Sequence, residues 1–373
     1  MKKLVYINQV GNYLSEGIVN AMLAKGGYDE VVLIVGNPSN VRFDSHKVKI
    51  DPICNYNRTN FLHRFKSWLI GSLQIQWKLW IRYRHHDVFL VSNPPTAAFC
   101  MGLCRNRYKS LIYDIYPDGL VSGGFMSEKN PLVRFWQAYN RRFFRKADRV
   151  FTITDGMADR LSCYIERNKI EVVPIWFNPS LHRIPKEENL FIKEHNLEGK
   201  FIVMYSGNIG KGHNVKLLPE IANKLRDYDH IKFVIIGEGW EKQEIISKVS
   251  ELSLTNILIL PYQPTESISH SLSAADLNYI SVEKKASTVC VPSKTYNCLF
   301  VGSPILCISE PTGELSNMIN KYGIGRVFQE WQIEQIAEYI KQISVDSNQL
   351  NILKDKVISL SDKYSPKQAE HFI

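Results

Sequence analysis

The stretch from 201 to 214, FIVMYSGNIGKGHN, limits what this chain can fold into more than any other. An uninterrupted apolar and aromatic run opens into glycines at 207, 210 and 212, after which apolar positions recur at Val215, Leu218, Ile221, Ala222 and Leu225. The pattern reads as buried strand, tight loop and helix. Such a loop gathers backbone N–H groups and the positive end of a helix dipole at one point, where phosphate oxygens are the common occupants. Pro219 implies that the hydrogen-bonded helix starts late. The spacing is G-x-x-G-x-G rather than G-x-G-x-x-G, and Lys211 precedes Gly212 where a P-loop carries Ser or Thr, which argues against a P-loop NTPase. Glycines serving only close packing would leave the same trace.

The surrounding chain supplies the context. Short β-branched runs start near residues 4, 30, 88, 110, 149 and 171, and a second series starts at 201, 231, 256, 277 and 304, with helix-period segments between them. This predicts two mostly parallel, helix-covered sheets, that is, two Rossmann-like domains in tandem. The polar, proline-bearing passage NPSLHRIPKEEN reads as the linker, giving expected domains of 1–183 and 184–361. At 373 residues the chain can bury two substantial cores. Its most apolar segment, 67–81, is broken by Lys78 and two glutamines and falls short of the roughly 20 residues a bilayer needs. The start MKKLVYIN enters strand-like sequence directly, so a cytoplasmic protein is expected. Seven scattered cysteines suit reduced core thiols, and no second Cys or His pair completes a zinc site with Cys100 and Cys104.

Charge is divided unevenly. Residues 1–183 hold 26 Lys and Arg against 14 Asp and Glu, whereas the remainder holds 20 against 23. Two segments in the basic half, 60–86 and 131–149, set Trp68, Trp77, Trp80, Phe135, Trp136 and Tyr139 among arginines and lysines at helical spacing. Basic residues beside aromatics suit an anionic membrane surface; two ordinary helices with a solvated basic face would look alike. In the acidic half, VPSKTYNCLFVGSPILC at 291–307 reads as a Ser293 N-cap, a short helix and a Gly302 turn into a strand. Lys294 then falls in a first helical turn, where cations are disfavoured unless an anion binds there. GEGW at 237–240 closes another strand at the end where nucleotides bind in such folds.

The series YSGNIGKGHN, FVIIGEG, NILILPYQP, SAADLNYIS and VPSKTYNCLFVGSPIL, in this order, resembles the donor half of glycosyltransferase family 4, above all the bacterial capsule, O-antigen and exopolysaccharide branch. SNPPTAA, YDIYPDGL, RRFFRKADRVFTITDGM and VVPIWFNP resemble counterparts in the first half. The resemblance implies an α/β GT-B fold, two Rossmann-like domains facing across a cleft, with a last helix, 362–373, packed back on the first. It implies retaining transfer from a nucleotide-diphosphate sugar, most simply a UDP-sugar, with no metal or other cofactor. The implied acceptor is polyprenyl-diphosphate-linked at the inner face of the plasma membrane, and nucleic acid is not an expected partner. Donor contacts are expected from Gly207, Asn208, Gly210, His213, Gly237, Glu238, Tyr262, Ser293, Thr295 and Asn297.

Asn208 and His213 stand where the family commonly has Arg and Lys on the diphosphate; Lys211 and Lys294 are expected to supply that charge. Val289 and Asn297 stand where many members have paired glutamates, and only Asn297 can hydrogen-bond a ribose. On the acceptor side, Gly11 ends the turn after the first strand. Asp114 and Asp118 follow a strand at the expected cleft, where a carboxylate can orient the attacking hydroxyl or simply serve the turn at Pro117. Another GT-B enzyme, such as a nucleotide-sugar epimerase, and an inactive nucleotide-sugar binder are the competing readings.

Overall fold

A computed structural model describes residues 2–43, 45–57 and 59–373, with only the backbone of Phe61. The chain forms two compact units, Met1–Ile175 with Pro366–Ile373, and Trp176–Ser365.

Unit 1 is built on β1 Lys3–Ile7, β2 Glu30–Val35, β3 Val48–Pro52, β4 Asp87–Val91, β5 Tyr108–Ile112, β6 Arg149–Thr152 and β7 Ile170–Val172. All pair in parallel in the order β3-β2-β1-β4-β5-β6-β7, with Tyr6 opposite both Leu33 and Phe89. The central strands are buried on both faces, which is why they are almost continuously apolar. The covering helices are α1 Tyr13–Ala24, α2 Phe61–Ile81, α3 Ala98–Leu103, α4 Asp118–Ser122, α5 Pro131–Lys146 and α6 Asp155–Leu161.

Unit 2 has β8 Phe201–Ser206, β9 Ile231–Ile236, β10 Ile257–Leu260, β11 Leu277–Ser281, β12 Ile305–Ile308 and β13 Gly325–Phe328, parallel in the order β10-β9-β8-β11-β12-β13. Its helices are α7 Leu190–Glu194, α8 Leu217–Lys224, α9 Lys242–Glu251, α10 Ile268–Ser273, α11 Lys294–Val301, α12 Glu314–Tyr322, α13 Ile333–Val345 and α14 Ser347–Ser361. Strand order reverses between β8 and β11, and the loops leaving such a reversal splay apart to leave a crevice.

The division falls at 175/176, earlier than the expected 183/184. Residues 178–189 are not a free linker: the N–H groups of Asn178, His182 and Ile184 donate to Asn297 Oδ1, Ser269 Oγ and Ser273 Oγ at 2.9, 3.1 and 3.2 Å. Lys186 pairs with the buried Asp276. The returning C-terminus also differs from the expected helix. It forms 3-10 turns at Asp362–Tyr364 and Pro366–Phe372, broken at Ser365, which is extended as a residue before proline must be. Only 366–373 joins unit 1, where Phe372 packs edge-on against Phe89 and Phe151 with ring centroids 6.0 and 5.1 Å away.

Candidate active site

At the β8/β11 reversal in unit 2 lies a cavity of about 160 Å³, lined among others by Ser206, Tyr262, Asn278, Lys294 and Asn297. Lys294 begins α11 and turns its ammonium over the Tyr205 ring, 4.0 Å from the centroid. Burial pushes its pKa down to about 8, and no carboxylate among the described residues offsets that cost. A lysine desolvated, held by an aromatic face and lacking a counter-ion among the described residues has its charge uncompensated. The pKa of His213, in the glycine loop, is lowered from its ordinary value by burial first and by the nearby Lys294 charge second.

The glycine loop divides into two functions. Gly207 and Gly237 both have φ near +150°, and a Cβ on Gly237 would lie 1.9 Å from the Gly207 carbonyl oxygen. The loop is stitched to the next strand end: the N–H groups of Gly207 and Ile209 donate to the carbonyls of Ile236 and Glu238 at 2.9 and 2.8 Å. For these positions close packing is the reason for glycine, and their amides are not open to a ligand. The N–H groups of Asn208, Gly210, Lys211 and Gly212 have no partner among the described residues. The unpartnered amides are thus confined to the exposed end of the loop, where Lys211 is also exposed.

Other expected donor residues are partly corrected. Ser293 occupies the N-cap position of α11, but its backbone is helical and its hydroxyl caps nothing. Thr295 is fully buried, does not line the cavity, and leaves its Oγ1 without a partner. Asn297 lines the cavity, yet its Oδ1 already accepts from Asn178, which leaves its amide nitrogen as the group available to a ligand. Glu238 is exposed and its carboxylate pairs with Lys242 at 2.6 Å. Asn278 went unnoticed in the sequence. It is buried in β11, lines the cavity and has an amide nitrogen with no partner. An asparagine inside an otherwise apolar strand was the available signal.

In unit 1, Gly11 sits after β1 at φ +57°, and a Cβ there would be 2.6 Å from Val35 Cγ2, so the turn requires glycine. Asp114 follows β5; its backbone N–H donates to Ser92 Oγ at 3.3 Å, and desolvation holds its carboxyl above the ordinary carboxylate value even though part of the residue is exposed. Asp118 behaves differently. It is buried at the start of α4, where Arg160 donates to it at 2.6 Å and the Tyr164 hydroxyl also donates to it. Both of its oxygens are committed to holding α4 against α6, so Asp118 is a structural ion-pair residue, not a free base. Arg64 of α2, one of the cations of the basic aromatic segment 60–86, has a buried Nε with no acceptor among the described residues. Among the described residues no group of three His, Cys, Asp or Glu side chains is placed to hold a metal.

Two family models match: Glycosyl transferase 4-like domain over residues 15–176, and Glycosyl transferases group 1 over 186–358. With the two parallel sheets, they make this chain a glycosyltransferase of the GT-B fold. The chain belongs to glycosyltransferase family 4. It is 22% identical over 276 residues to a probable glycosyltransferase of Pseudomonas aeruginosa, WbjE, covering 72% of this chain and 69% of that one. It is 24% identical over 210 residues to the putative colanic acid biosynthesis glycosyl transferase WcaI of Escherichia coli (strain K12), spanning 55% of this chain and about half, 51%, of the relative. Among solved structures, HepE from Anabaena in complex with UDP and glucose superposes with a TM-score of 0.71 at 12% identity, covering 100% of this chain and 98% of that one. WaaG, a glycosyltransferase involved in lipopolysaccharide biosynthesis, gives 0.69 at 14%, covering 100% and 99%.

Proposed function

We propose that this glycosyltransferase moves a sugar from a nucleoside diphosphate sugar, with UDP as the preferred nucleotide, to a polyprenyl-diphosphate-linked acceptor during bacterial surface-polysaccharide synthesis, with retention at the anomeric carbon. The observation that carries the reading is Lys294, desolvated and without a counter-ion beside an open run of loop amides. Sugar transfer places negative charge on the departing diphosphate, and donors fixed in advance at that position lower the barrier. Lys294, the amides of Asn208 and Gly210 to Gly212, and the exposed Lys211 supply those donors. Asn278 and Asn297 present amide nitrogens to the nucleoside side of the cavity. In unit 1, Asp114 orients the attacking hydroxyl, and the leaving diphosphate takes the proton. The protein works as a peripheral enzyme at the cytoplasmic membrane face, without a metal.

Calorimetric binding of UDP and of uridine to the whole chain and to its Lys294→Ala variant tests the site. UDP is expected to weaken by one to two orders of magnitude, roughly the 1.5 to 3 kcal/mol of a charge-assisted contact, and uridine to change little. Equal loss for both would show that Lys294 does not serve the phosphates. Donor turnover that proceeds without any acceptor, or yields an epimerised nucleotide sugar, would replace transfer by the alternative chemistries.

A further inference from the structure

Unit 1 carries a sizeable apolar concavity of its own. Between α2, α3 and α5 of unit 1 runs a groove of about 590 Å³, lined by Phe65, Leu69, Leu73, Phe99, Leu120 and Phe135 among others. Its volume falls within the roughly 300 to 1,000 Å³ usual for ligand sites. One wall is the outward stripe of α2, where Leu62, Phe65, Leu69, Leu73, Trp77 and Trp80 recur every three or four residues and are 43–78% exposed. A helix face this apolar is normally covered.

The few polar side chains in the lining are occupied elsewhere. Ser72 Oγ and Thr96 Oγ1 share a hydrogen bond of 2.7 Å, Thr96 Oγ1 also reaches the Trp68 carbonyl, and the Gln76 amide, oriented to satisfy both its ends, donates to the Cys100 carbonyl and accepts from Trp80 Nε1 at 3.2 and 2.8 Å. The groove thus offers an occupant carbon surface and no hydrogen bonds, which excludes a saccharide or a peptide backbone. Cations neighbour the lining residues along the chain. Arg64, one residue before Phe65, keeps a buried and unpartnered Nε, and Lys66, Arg134 and Arg142 are exposed along the two helices.

We infer that this groove seats the hydrocarbon chain of an anionic prenyl lipid, the chain lying against α2, α3 and α5 while its phosphates meet the flanking cations. The inference rests on the proposed lipid-linked acceptor and goes further, since it assigns the lipid's chain, and not only a bilayer surface, to a built site. Apolar burial explains affinity that grows with chain length, and the arginines explain the requirement for an anionic head.

The test uses the whole protein with soluble prenyl diphosphates of increasing length, from a single isoprene unit to farnesyl diphosphate, and inorganic pyrophosphate as the chainless control. Affinity should rise by about tenfold or more from the shortest to the longest, given roughly 0.8 kcal/mol per buried methylene. The double variant Leu73→Asn, Phe135→Asn, neutral so that charge repulsion plays no part, should remove that gain and leave UDP affinity and the melting temperature unchanged. Affinity independent of chain length in the parent overturns the inference whatever the variant does. Sedimentation that finds a dimer dissociated by the same substitutions overturns it in favour of a second copy as occupant. Anionic-vesicle binding lost in the variant, with no chain-length dependence in solution, overturns it in favour of bilayer insertion. Failure of UDP binding in the parent, by contrast, sinks the donor assignment and leaves the groove to be judged on chain length alone.

Discussion

Lys294 sets both a cost and a use. Its folded pKa of about 8 lies below the ordinary 10.5 because burial penalises the charge. The folded state therefore binds fewer protons than the unfolded chain between about pH 8 and 10.5, and stability contributed by this group rises with pH across that window. Below pH 8 the cost is fully present, so Lys294→Met is expected to raise the melting temperature at pH 7 while abolishing the preference for UDP over uridine; a lowered melting temperature would contradict the desolvation account. Binding has the opposite dependence. The diphosphate needs the ammonium, so UDP affinity should fall as pH rises through 8 and above, and Lys294→Arg, charged throughout, should flatten the titration. Asn297 carries a double load: its Oδ1 accepts from the Asn178 N–H and its amide faces the cavity. Asn297→Ala leaves a donor unpaired and should cost on the order of 1 to 3 kcal/mol of stability in chemical denaturation, besides weakening UDP. Asn297→Asp, which preserves the acceptor, should recover the stability; if it does not, the Asn178 contact is unimportant.

At the scale of the element, the glycine loop separates residues needed for folding from residues needed for binding. Gly239 has φ +155° and its Cβ would meet the Ile209 carbonyl oxygen at 2.2 Å, whereas a Cβ on Gly212 would find only the tip of Glu283 at 3.3 Å, with no positive φ to oppose it. Gly239→Ala should therefore lower stability by a few kcal/mol or prevent folding, while Gly212→Ala should fold with nearly the parent melting temperature and weaken UDP. The reverse pattern would mean that Gly212, and not Gly239, is the packing glycine. Both loops were legible in the sequence because glycine after an apolar run is a local signal, but which glycine packs and which binds depends on the neighbouring strand end. The same limit governs the strands. Those in the middle of each sheet are long apolar runs and were read directly, as were the edge strands β7 and β10 with their apolar surroundings; the edge strands β3, VKIDP, and β13, GRVF, were not, because a half-solvated edge strand can carry little apolar sequence.

Across the whole molecule, non-local polar contacts were what the sequence hid. The passage 178–189 has a linker's composition, yet its N–H groups and Lys186 find partners about 80 to 120 residues away, so it belongs to unit 2. Asp118 was hidden for the same reason: nothing local shows that Arg160 and Tyr164 will enclose it. Charge asymmetry, in contrast, is a bulk property and survives into the fold as the exposed cations of α2 and α5. No helix among the described residues is long and apolar enough to cross a membrane. The side chains to neutralise follow from their contacts. Lys146 is a poor choice, because its ammonium donates to the carbonyls of Met101 and Cys104 at 3.3 and 2.9 Å and so closes the end of α3. Arg134, Arg141 and Arg142 are exposed and have no carboxylate partner among the described residues. Each Lys or Arg near an anionic surface contributes about 1 kcal/mol, so replacing these three by Gln should weaken binding to anionic vesicles by roughly a hundredfold at low salt. The difference should shrink as salt approaches physiological strength and the Debye length falls to about 8 Å. UDP affinity in solution should not change, because the residues proposed to hold UDP all belong to unit 2. Vesicle flotation that is indifferent to the triple substitution at low salt would remove the electrostatic half of membrane attachment, leaving exposed apolar side chains such as those of the α2 stripe and Leu132 and Phe135 of α5 to be tested.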